Sequence, residues 1–418
     1  MSRRNTLRAH RLCGAWVLCA ALVAAAAPAV AQEAVRPDVG TPLRAAQELI
    51  RAGKFKDALA KVREADTVGG KTPGEAVMIE RMRMAAASGA GDAETAARSF
   101  EALSASASLS GPDKLRMLES LTGAFYRAQN YSRAMQWGQR YFREGGSSAS
   151  VRSLLIQSQY LAGDFAGAAK ELTLEIQAAE KAGATPGEDR LKLLVNASAR
   201  LKDNRTYVWA LERLVTYHPS KAYWVDLLGR LQQQPNFSDR LALDVYRLSL
   251  ATGSMGNAND YMEMTQLALQ AGLAGEARQV VDKGFADGLL GVGVGTEADR
   301  HKRLRELVAK RLATEQAELP TAEAEARAAK DGTALANLGL RQVFGGDKAR
   351  GLSLMQEGLA KGKLKRADDV KLHWAVAQLM AGDAPKAVPS FKSVGGDDGT
   401  AELARLWVLH AKRMGRGT

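Results

Sequence analysis

Apolar residues recur at helical spacing along most of the chain, in pairs of stretches separated by a short break. Leu154, Leu155 and Leu161 mark one such stretch, with Gln157 and Ser158 between them. A helix that buries one face against a neighbour has this pattern. No run of alternating apolar and polar residues is long enough to indicate a strand, so the pattern predicts an all-α chain.

The breaks between paired stretches share a short phrase, in which Ala-Gly is followed by a small residue five positions after the Gly. The four clearest glycines are spaced 110, 109 and 110 residues apart, and weaker copies between them reduce the period to about 37 residues. A period in this range indicates an array of structural repeats. The seven pairs are Gly53/Ala58, Gly91/Ala96, Gln129/Ala134, Gly163/Ala168, Gly272/Ala277, Gly346/Gly351 and Gly382/Ala387.

The phrase has a direct physical meaning. Glycine adopts the left-handed conformation that ends a helix without a steric penalty. The small residue then lies where two antiparallel helices cross closely. Helix starts are also marked: Thr72-Pro73-Gly74-Glu75 and Thr185-Pro186-Gly187-Glu188 predict capping boxes. Thr41-Pro42 and Ser110-Gly111-Pro112-Asp113 predict further starts.

These hairpins resemble the tetratricopeptide repeat. The resemblance rests on Gly-Asp-Phe-x-x-Ala at 163–168, on Leu338-Gly339, on Phe100 and Phe391 four residues after the small residue, and on His218-Pro219. It covers nearly all of 41–395. In two segments, 219–255 and 296–331, the boundaries of the repeats are hard to assign. The resemblance implies a right-handed α-solenoid of about ten stacked antiparallel hairpins, a TPR-like superhelix in which each hairpin contacts mainly its neighbours. The amphipathic stretch 399–413 is interpreted as its C-terminal capping helix.

The first 31 residues form a separate segment. Arg3 and Arg4 begin a basic start without acidic residues, the run 15–27 is apolar, and Ala29-Val30-Ala31 precedes Gln32. This pattern predicts a cleaved secretory signal and a periplasmic protein. Four parts are therefore predicted: the signal at 1–31, a short linker at 32–40, the repeat array at 41–395, and the capping helix with a basic tail at 396–418. Both cysteines lie inside the signal, so the mature chain has no disulfide or thiolate chemistry.

The net charge is +12. Four of the 58 basic residues would leave with the signal, so 54 basic residues face 46 acidic ones and the mature chain carries +8. Basic runs occur at 300–305, 361–366 and 412–416, and acidic residues lie close to the first two. Solvated helix faces explain such mixed runs, and contact with an anionic envelope surface is the alternative. No motif for nucleic-acid binding is present.

Catalytic motifs are missing from the sequence. The mature histidines, His218, His301, His373 and His410, are scattered and belong to no HExxH. The run GLLGVGVGT at 288–296 lacks the Lys-Ser/Thr ending of a phosphate loop, and no strand precedes it. The sequence thus predicts no enzyme, no metal site and no cofactor.

Placed in the register of the tetratricopeptide family, ten side chains face the concave groove. The resemblance implies that the groove binds a peptide or protein. Lys192 and Asn196 resemble the pairs that clamp a carboxylate in some members of the family. Two solvated residues on one helix face would show the same spacing. The ten residues are Arg116, Glu119, Tyr126, Gln157, Tyr160, Lys192, Asn196, Asn259, Met262 and Gln266.

The densest aromatic patch lies at 207–224 and contains Tyr207, Trp209, Tyr217, Tyr223 and Trp224. Two interpretations are open: packing between neighbouring hairpins, or a partner hot spot, because Trp and Tyr are enriched at such sites. The repeat register is uncertain here, since the small residue could be Ala210 after a two-residue insertion.

Together these observations predict a periplasmic, non-enzymatic scaffold that binds a peptide or protein partner of the cell envelope. A surface factor whose basic faces contact anionic glycan or lipid headgroups is the alternative. Neither nucleic acid nor a small-molecule cofactor is expected as a partner.

Overall fold

The computed structural model describes residues 35–415, and every regular element in that range is helical. Contacts divide the described residues into two units, with the boundary between Gln129 and Asn130. The first unit holds α1 (Pro37–Arg51), α2 (Phe55–Asp66), α3 (Pro73–Ala90), α4 (Ala93–Ala105) and α5 (Gly111–Arg127). The second holds α6 (Tyr131–Arg143), α7 (Ala149–Leu161), α8 (Phe165–Lys181), α9 (Glu188–Leu201), α10 (Asn204–Tyr217), α11 (Lys221–Gln232), a 3₁₀ turn (Asp239–Leu241), α12 (Ala242–Ala251), α13 (Ala258–Gln270), α14 (Ala274–Ala286), α15 (Thr296–Ala328), α16 (Thr333–Gly345), α17 (Lys348–Lys361), α18 (Ala367–Met380), α19 (Ala384–Lys392) and α20 (Thr400–Met414).

Consecutive helices pair as antiparallel hairpins within each unit, so the predicted all-α class and its α-solenoid of stacked hairpins are confirmed. In the first unit, α1, α2 and α3 enclose a core that includes Val39, Leu43, Val62 and Ile79. In the second unit one continuous core extends from α7 to α20. The predicted signal, 1–31, lies outside the described residues.

The turn phrase behaves as predicted in all seven copies. Each leading residue has a positive φ, from 57° at Gln129 to 108° at Gly346. Each of the six alanines five positions later is completely buried. Gly351 takes the same place in the seventh copy, where an added Cβ would lie 2.6 Å from the carbonyl oxygen of Gly339. In the six copies that lie within one unit, the repeated phrase is therefore the sequence form of a tight turn and a close helix crossing.

Helix starts were predicted with mixed success. Thr72 and Glu75 form the predicted capping box, and Ser110 caps α5. Thr185 was predicted wrongly, because α9 begins at Glu188 after Gly187 without a side-chain cap. There the side chain of Glu188 accepts a hydrogen bond from the hydroxyl of Tyr223 instead of closing a box.

The start predicted at Thr41-Pro42 is also wrong, because α1 begins at Pro37, inside the segment predicted as a linker. Arg36 stabilises this earlier start. Its guanidinium and its backbone N–H donate to the buried carboxylate of Glu75, at 2.8–3.0 Å for the shortest contacts. Hydrogen bonds from Arg36 lower the pKa of Glu75 to about 2.

The two segments that were hard to frame depart from the simple hairpin. Segment 219–255 holds α11 and α12 joined through the 3₁₀ turn. Segment 296–331 is dominated by one helix, α15, with 33 residues and Pro320 inside it. A single helix replaces a hairpin here because 296–331 contains no glycine turn of the repeated kind. Its middle section, 309–325, has no buried residue.

The C-terminal helix does more than cover the end of the array. Beside its neighbour α19, α20 contacts α10, α12 and α18. Trp407 of α20 stacks on Phe391 with ring centroids 5.7 Å apart, and His410 meets the edge of Trp224 of α11 at 6.5 Å. The backbone N–H of Ser238 donates to the carbonyl of Asp398 at 3.0 Å. Contacts within the second unit are therefore not limited to neighbouring hairpins.

His410 makes this contact sensitive to pH. Burial, with Arg413 nearby, lowers the pKa of His410 from 6.5 to about 4. Above pH 6.5 the ring is neutral in both folded and unfolded protein, and stability does not depend on it. As the pH falls toward 4 only the unfolded state takes up the proton, so stability is lost. We expect the free energy of unfolding to fall by about 1–2 kcal/mol between pH 6.5 and about pH 5.

Urea unfolding at a series of pH values measures this loss. Most of the slope between pH 6.5 and about 5 should vanish in His410→Gln, because carboxylates of ordinary pKa are still ionised there. An unchanged slope in the variant would assign the effect to another group.

Candidate functional site

Three of the predicted groove residues belong to the first unit and lie on α5. Arg116 is exposed and forms an ion pair with Asp113 one turn earlier. Glu119 and Tyr126 are half-buried. Glu119 precedes Tyr126 by seven residues and Arg116 precedes it by ten, so the three side chains lie on one face of the helix.

Four others lie on α7 and α9 of the second unit. Gln157 is exposed and lines a shallow concavity with Glu188, Asp189, Arg190 and Leu193. Tyr160 is half-buried, and its ring meets the edge of Phe165 at 5.3 Å. Its ring thus belongs in part to the hairpin core.

Lys192 and Asn196 do not cooperate in this structure. The ammonium group of Lys192 lies 3.6 Å from Glu188 and 3.7 Å from Asp189. The Asn196 amide donates to the Lys192 carbonyl at 3.1 Å. Both side chains thus bond within α9, and the carboxylate clamp stays a prediction.

The last three residues, Asn259, Met262 and Gln266 of α13, are brought together. They line one depression of about 500 Å³, and its other walls are Glu263, Leu267, Gln270 and Arg300. Met262 is buried at its floor with an exposed fraction of 6 %, whereas Asn259 is exposed and Gln266 half-buried. Two amides thus flank an apolar floor, which suits an extended peptide: amides pair with its backbone while the floor takes an apolar side chain.

A larger cleft adjoins this depression. It measures about 730 Å³ and shares Leu267 and Gln270 with the depression, so the two meet at the C-terminal end of α13. Its remaining walls come from the turn 271–273, the 3₁₀ turn, α12, α15, α16 and α18. We call the depression and the cleft together the α13 trough.

The wall of the cleft contains a buried ionic cluster that sequence reasoning missed. Arg247 donates to both carboxylate oxygens of Glu276, at 2.7 and 2.6 Å, and to Asp244 at 2.6 Å. His373 lies 3.0 Å from Asp244 on the other side. Asp244, Arg247 and Glu276 are at most 5 % exposed. These residues lie on α12, α14 and α18, and apart from the i,i+3 pair Asp244 and Arg247, spacing along the chain gives no sign that they meet.

Electrostatics keeps the cluster charged. Burial raises the pKa of the Asp244 carboxyl, but the charges of His373 and Arg247 outweigh burial and the net shift is downward. Burial likewise lowers the pKa of Arg247, and the carboxylates of Glu276 and Asp244 reverse that shift. Since isolated buried charges are very costly, each member depends on the others.

The aromatic patch at 207–224 is a packing feature. Trp224 and Tyr207 are buried in the core of the second unit, and Trp209 and Tyr223 pack against it. Lys202 has the left-handed conformation and Asp203 caps α10, as Gly163 and Asp164 do before α8. The turn before α10 therefore contains no insertion, and Tyr207, not Ala210, lies five residues after the left-handed residue. Core packing is the correct interpretation of the two.

Two kinds of feature are missing from the described part of the chain. Residues 35–415 contain no group of three His, Cys, Asp or Glu side chains placed to hold a metal ion. None of the helices in that range combines the length and the apolar character needed to cross a bilayer.

Comparison with known proteins gives only distant structural similarity. No family model matches the chain, and no curated protein matches it. Yeast Tom70 is 12 % identical, with 91 % of this chain and 97 % of that chain covered and a TM-score of 0.24. The TPR domain of P58(IPK) is 11 % identical over 91 % and 99 %, with a TM-score of 0.22. Naa15/Naa10 bound to HypK-THB is 13 % identical over 87 % and 63 %, with a TM-score of 0.31. Similarities this weak carry no argument about function.

Proposed function

We propose that the protein is an exported, non-enzymatic scaffold that binds an extended peptide segment of a cell-envelope partner in the α13 trough. The observation that carries the proposal is the shared depression of Asn259, Met262 and Gln266, which opens into the larger cleft. The side chains that line it from α13 run from Asn259 to Gln270, nearly the whole helix of 13 residues. At 1.5 Å per residue α13 is about 20 Å long. About six residues of an extended peptide span that length.

The trough also has the chemistry of a recognition surface. Asn259, Gln266 and Gln270 carry amides that can donate to and accept from a peptide backbone. Met262 and Leu267 supply an apolar floor, and Met adapts its shape to different side chains. An interface with an apolar centre and a polar rim follows the same plan.

Blocking the trough should weaken binding strongly. We expect Gln266→Trp to weaken capture of peptides at least about tenfold, because the indole would fill the space of a bound side chain. Gln316→Trp is the matched control, since Gln316 is exposed on α15 and lines neither part of the trough. The peptides come from display selection on the immobilised protein, and fluorescence anisotropy gives the dissociation constants. Equal affinities for both variants would refute the trough as the binding site.

Export is part of the same proposal and has its own test. If the signal at 1–31 is cleaved, mass spectrometry of the protein recovered from its native host should find Gln32 at the N-terminus. Recovery of chains that still begin at Met1, in the cytoplasm, would contradict the periplasmic localisation.

The alternative function, contact with an anionic envelope surface, has one supporting observation. Arg303 is exposed and forms no ion pair among residues 35–415. Lys302 and Arg305 in the same run are paired with Asp299 and Asp282, which weakens their field. Binding through this face should collapse as ionic strength rises and should be lost in Arg303→Glu. Peptide binding in the trough should survive Arg303→Glu and should weaken only modestly as ionic strength rises.

A further inference from the structure

The cleft at the end of the α13 trough has an unusual balance of charge. Its walls carry three carboxylates, Asp239, Asp244 and Glu325, and three guanidinium groups, Arg240, Arg247 and Arg341. The numbers are equal, but the guanidinium groups and the carboxylates differ in how many ion-pair partners they already have. These partners therefore decide whether a ligand meets a negative or a positive cleft.

Two of the three guanidinium groups are held by two carboxylates each. Arg240 lies 2.8 Å from Asp369 and 2.7 Å from Asp398. Arg247 lies 2.6 Å from Asp244 and 2.6 Å from Glu276. Arg240 and its two carboxylates therefore carry a net charge of −1, and so do Arg247 and its two carboxylates.

The remaining charged groups do not reverse this sign. Asp239 and Glu325 are exposed and form no ion pair among residues 35–415. Arg341 is half-buried and also unpaired in that range. Two free carboxylates against one free guanidinium add a further −1. The wall residues and the three carboxylates that pair with them from outside the wall, Asp369, Asp398 and Glu276, therefore sum to −3, counted with His neutral as in the formal net charge. The cleft is thus negative within a chain whose formal net charge is +12.

We propose that the cleft selects a Lys or Arg side chain of the peptide segment bound in the trough, with Asp239 and Glu325 as its partners. This inference rests on the proposed function and names the chemistry of the partner. A cation is attracted because charges in a partly enclosed cleft interact more strongly than charges in open water. The floor beside Met262 binds the apolar part of the segment, and the cleft specifies its charged part.

The experiment starts from peptides selected by display on the wild-type protein. We expect Lys and Arg to be enriched over Asp and Glu in the selected set. Changing the selected Lys or Arg to Gln in synthetic peptides should weaken binding about three- to tenfold. The double variant Asp239→Asn/Glu325→Gln should show the same weakening for the original peptide and no further loss for the Gln peptide.

A matched double variant controls for overall charge. Glu306→Gln/Glu318→Gln removes two exposed carboxylates that do not line the cleft, and it should leave both affinities unchanged. Because all four carboxylates are exposed and form no ion pair among residues 35–415, the melting temperature should be unchanged in both double variants, which separates recognition from folding.

The outcomes distinguish the inference from the proposed function. Suppose that the selected peptides lose binding in Gln266→Trp. If they are rich in Asp and Glu, or if their affinity is the same for Asp239→Asn/Glu325→Gln as for the wild type, the cationic inference is overturned and the proposed peptide binding stands. If no selected peptide depends on Gln266, the proposed function fails and this inference fails with it.

Discussion

Replacing Arg247 by Met should lower the free energy of unfolding by about 3–5 kcal/mol, because Glu276 would remain buried without a counter-charge and Asp244 would keep only His373. Glu276 is 1 % exposed and Asp244 4 %, so neither can reach water without local unfolding. Urea unfolding followed by circular dichroism measures the change.

Arg327 provides the matched control. It also meets two carboxylates, Glu323 and Glu357, but its side chain is 48 % exposed. Arg327→Met should hardly change stability, because water replaces the lost partners. The triple variant Asp244→Leu/Arg247→Met/Glu276→Leu should recover most of the loss, since no buried charge of the triad remains. Equal small effects for Arg247→Met and Arg327→Met would show that the cluster does not stabilise the fold.

Adding one methyl group at Gly351 should lower the free energy of unfolding by about 3 kcal/mol. Its Cβ would lie 2.6 Å from the Gly339 carbonyl oxygen and 2.7 Å from the Val343 backbone nitrogen. Backbone atoms cannot rotate away as a side chain could, so α16 and α17 would have to separate. Thermal and urea unfolding of Gly351→Ala measure the cost.

Gly229 is the control for this substitution. It lies in α11, and an added Cβ would meet no atom within 4 Å. Gly229→Ala should raise stability by up to about 1 kcal/mol through helix propensity alone. A stabilising effect at both glycines would mean that the crossing of α16 and α17 is looser than the structure shows.

Local patterns were sufficient to predict the hairpins. A left-handed turn and the small residue five positions later lie within one short segment, so the sequence records both. The same applies to the Thr72 cap and its partner Glu75. Predictions failed where a residue distant in the sequence decides the local structure. The hydroxyl of Tyr223 donates to the carboxylate of Glu188, so Glu188 closes no capping box. Glu75 binds Arg36 and so stabilises the early start of α1.

The candidate site could be predicted only in part. Asn259, Met262 and Gln266 lie three to four residues apart on one helix, so a repeat register places them together. The cleft cannot be found in this way, because Asp239, Glu325 and Arg341 come from three elements. Asp244 and Arg247 are three residues apart and look like a solvated surface pair. Only the fold shows that both are buried.

The contact of α20 with α10 and α12 has a consequence for how the chain is made. Arg240 donates hydrogen bonds to Asp369 and Thr400, which follow it in the chain by 129 and 160 residues and are synthesised later. Contacts between such distant residues form late and slow folding. A nascent chain can therefore complete its first hairpins early but leaves apolar surface on α10 and α12 uncovered until the final 15-residue helix has emerged. A chain that is cut short before Thr400 would keep this surface exposed, in the form that chaperones and proteases recognise.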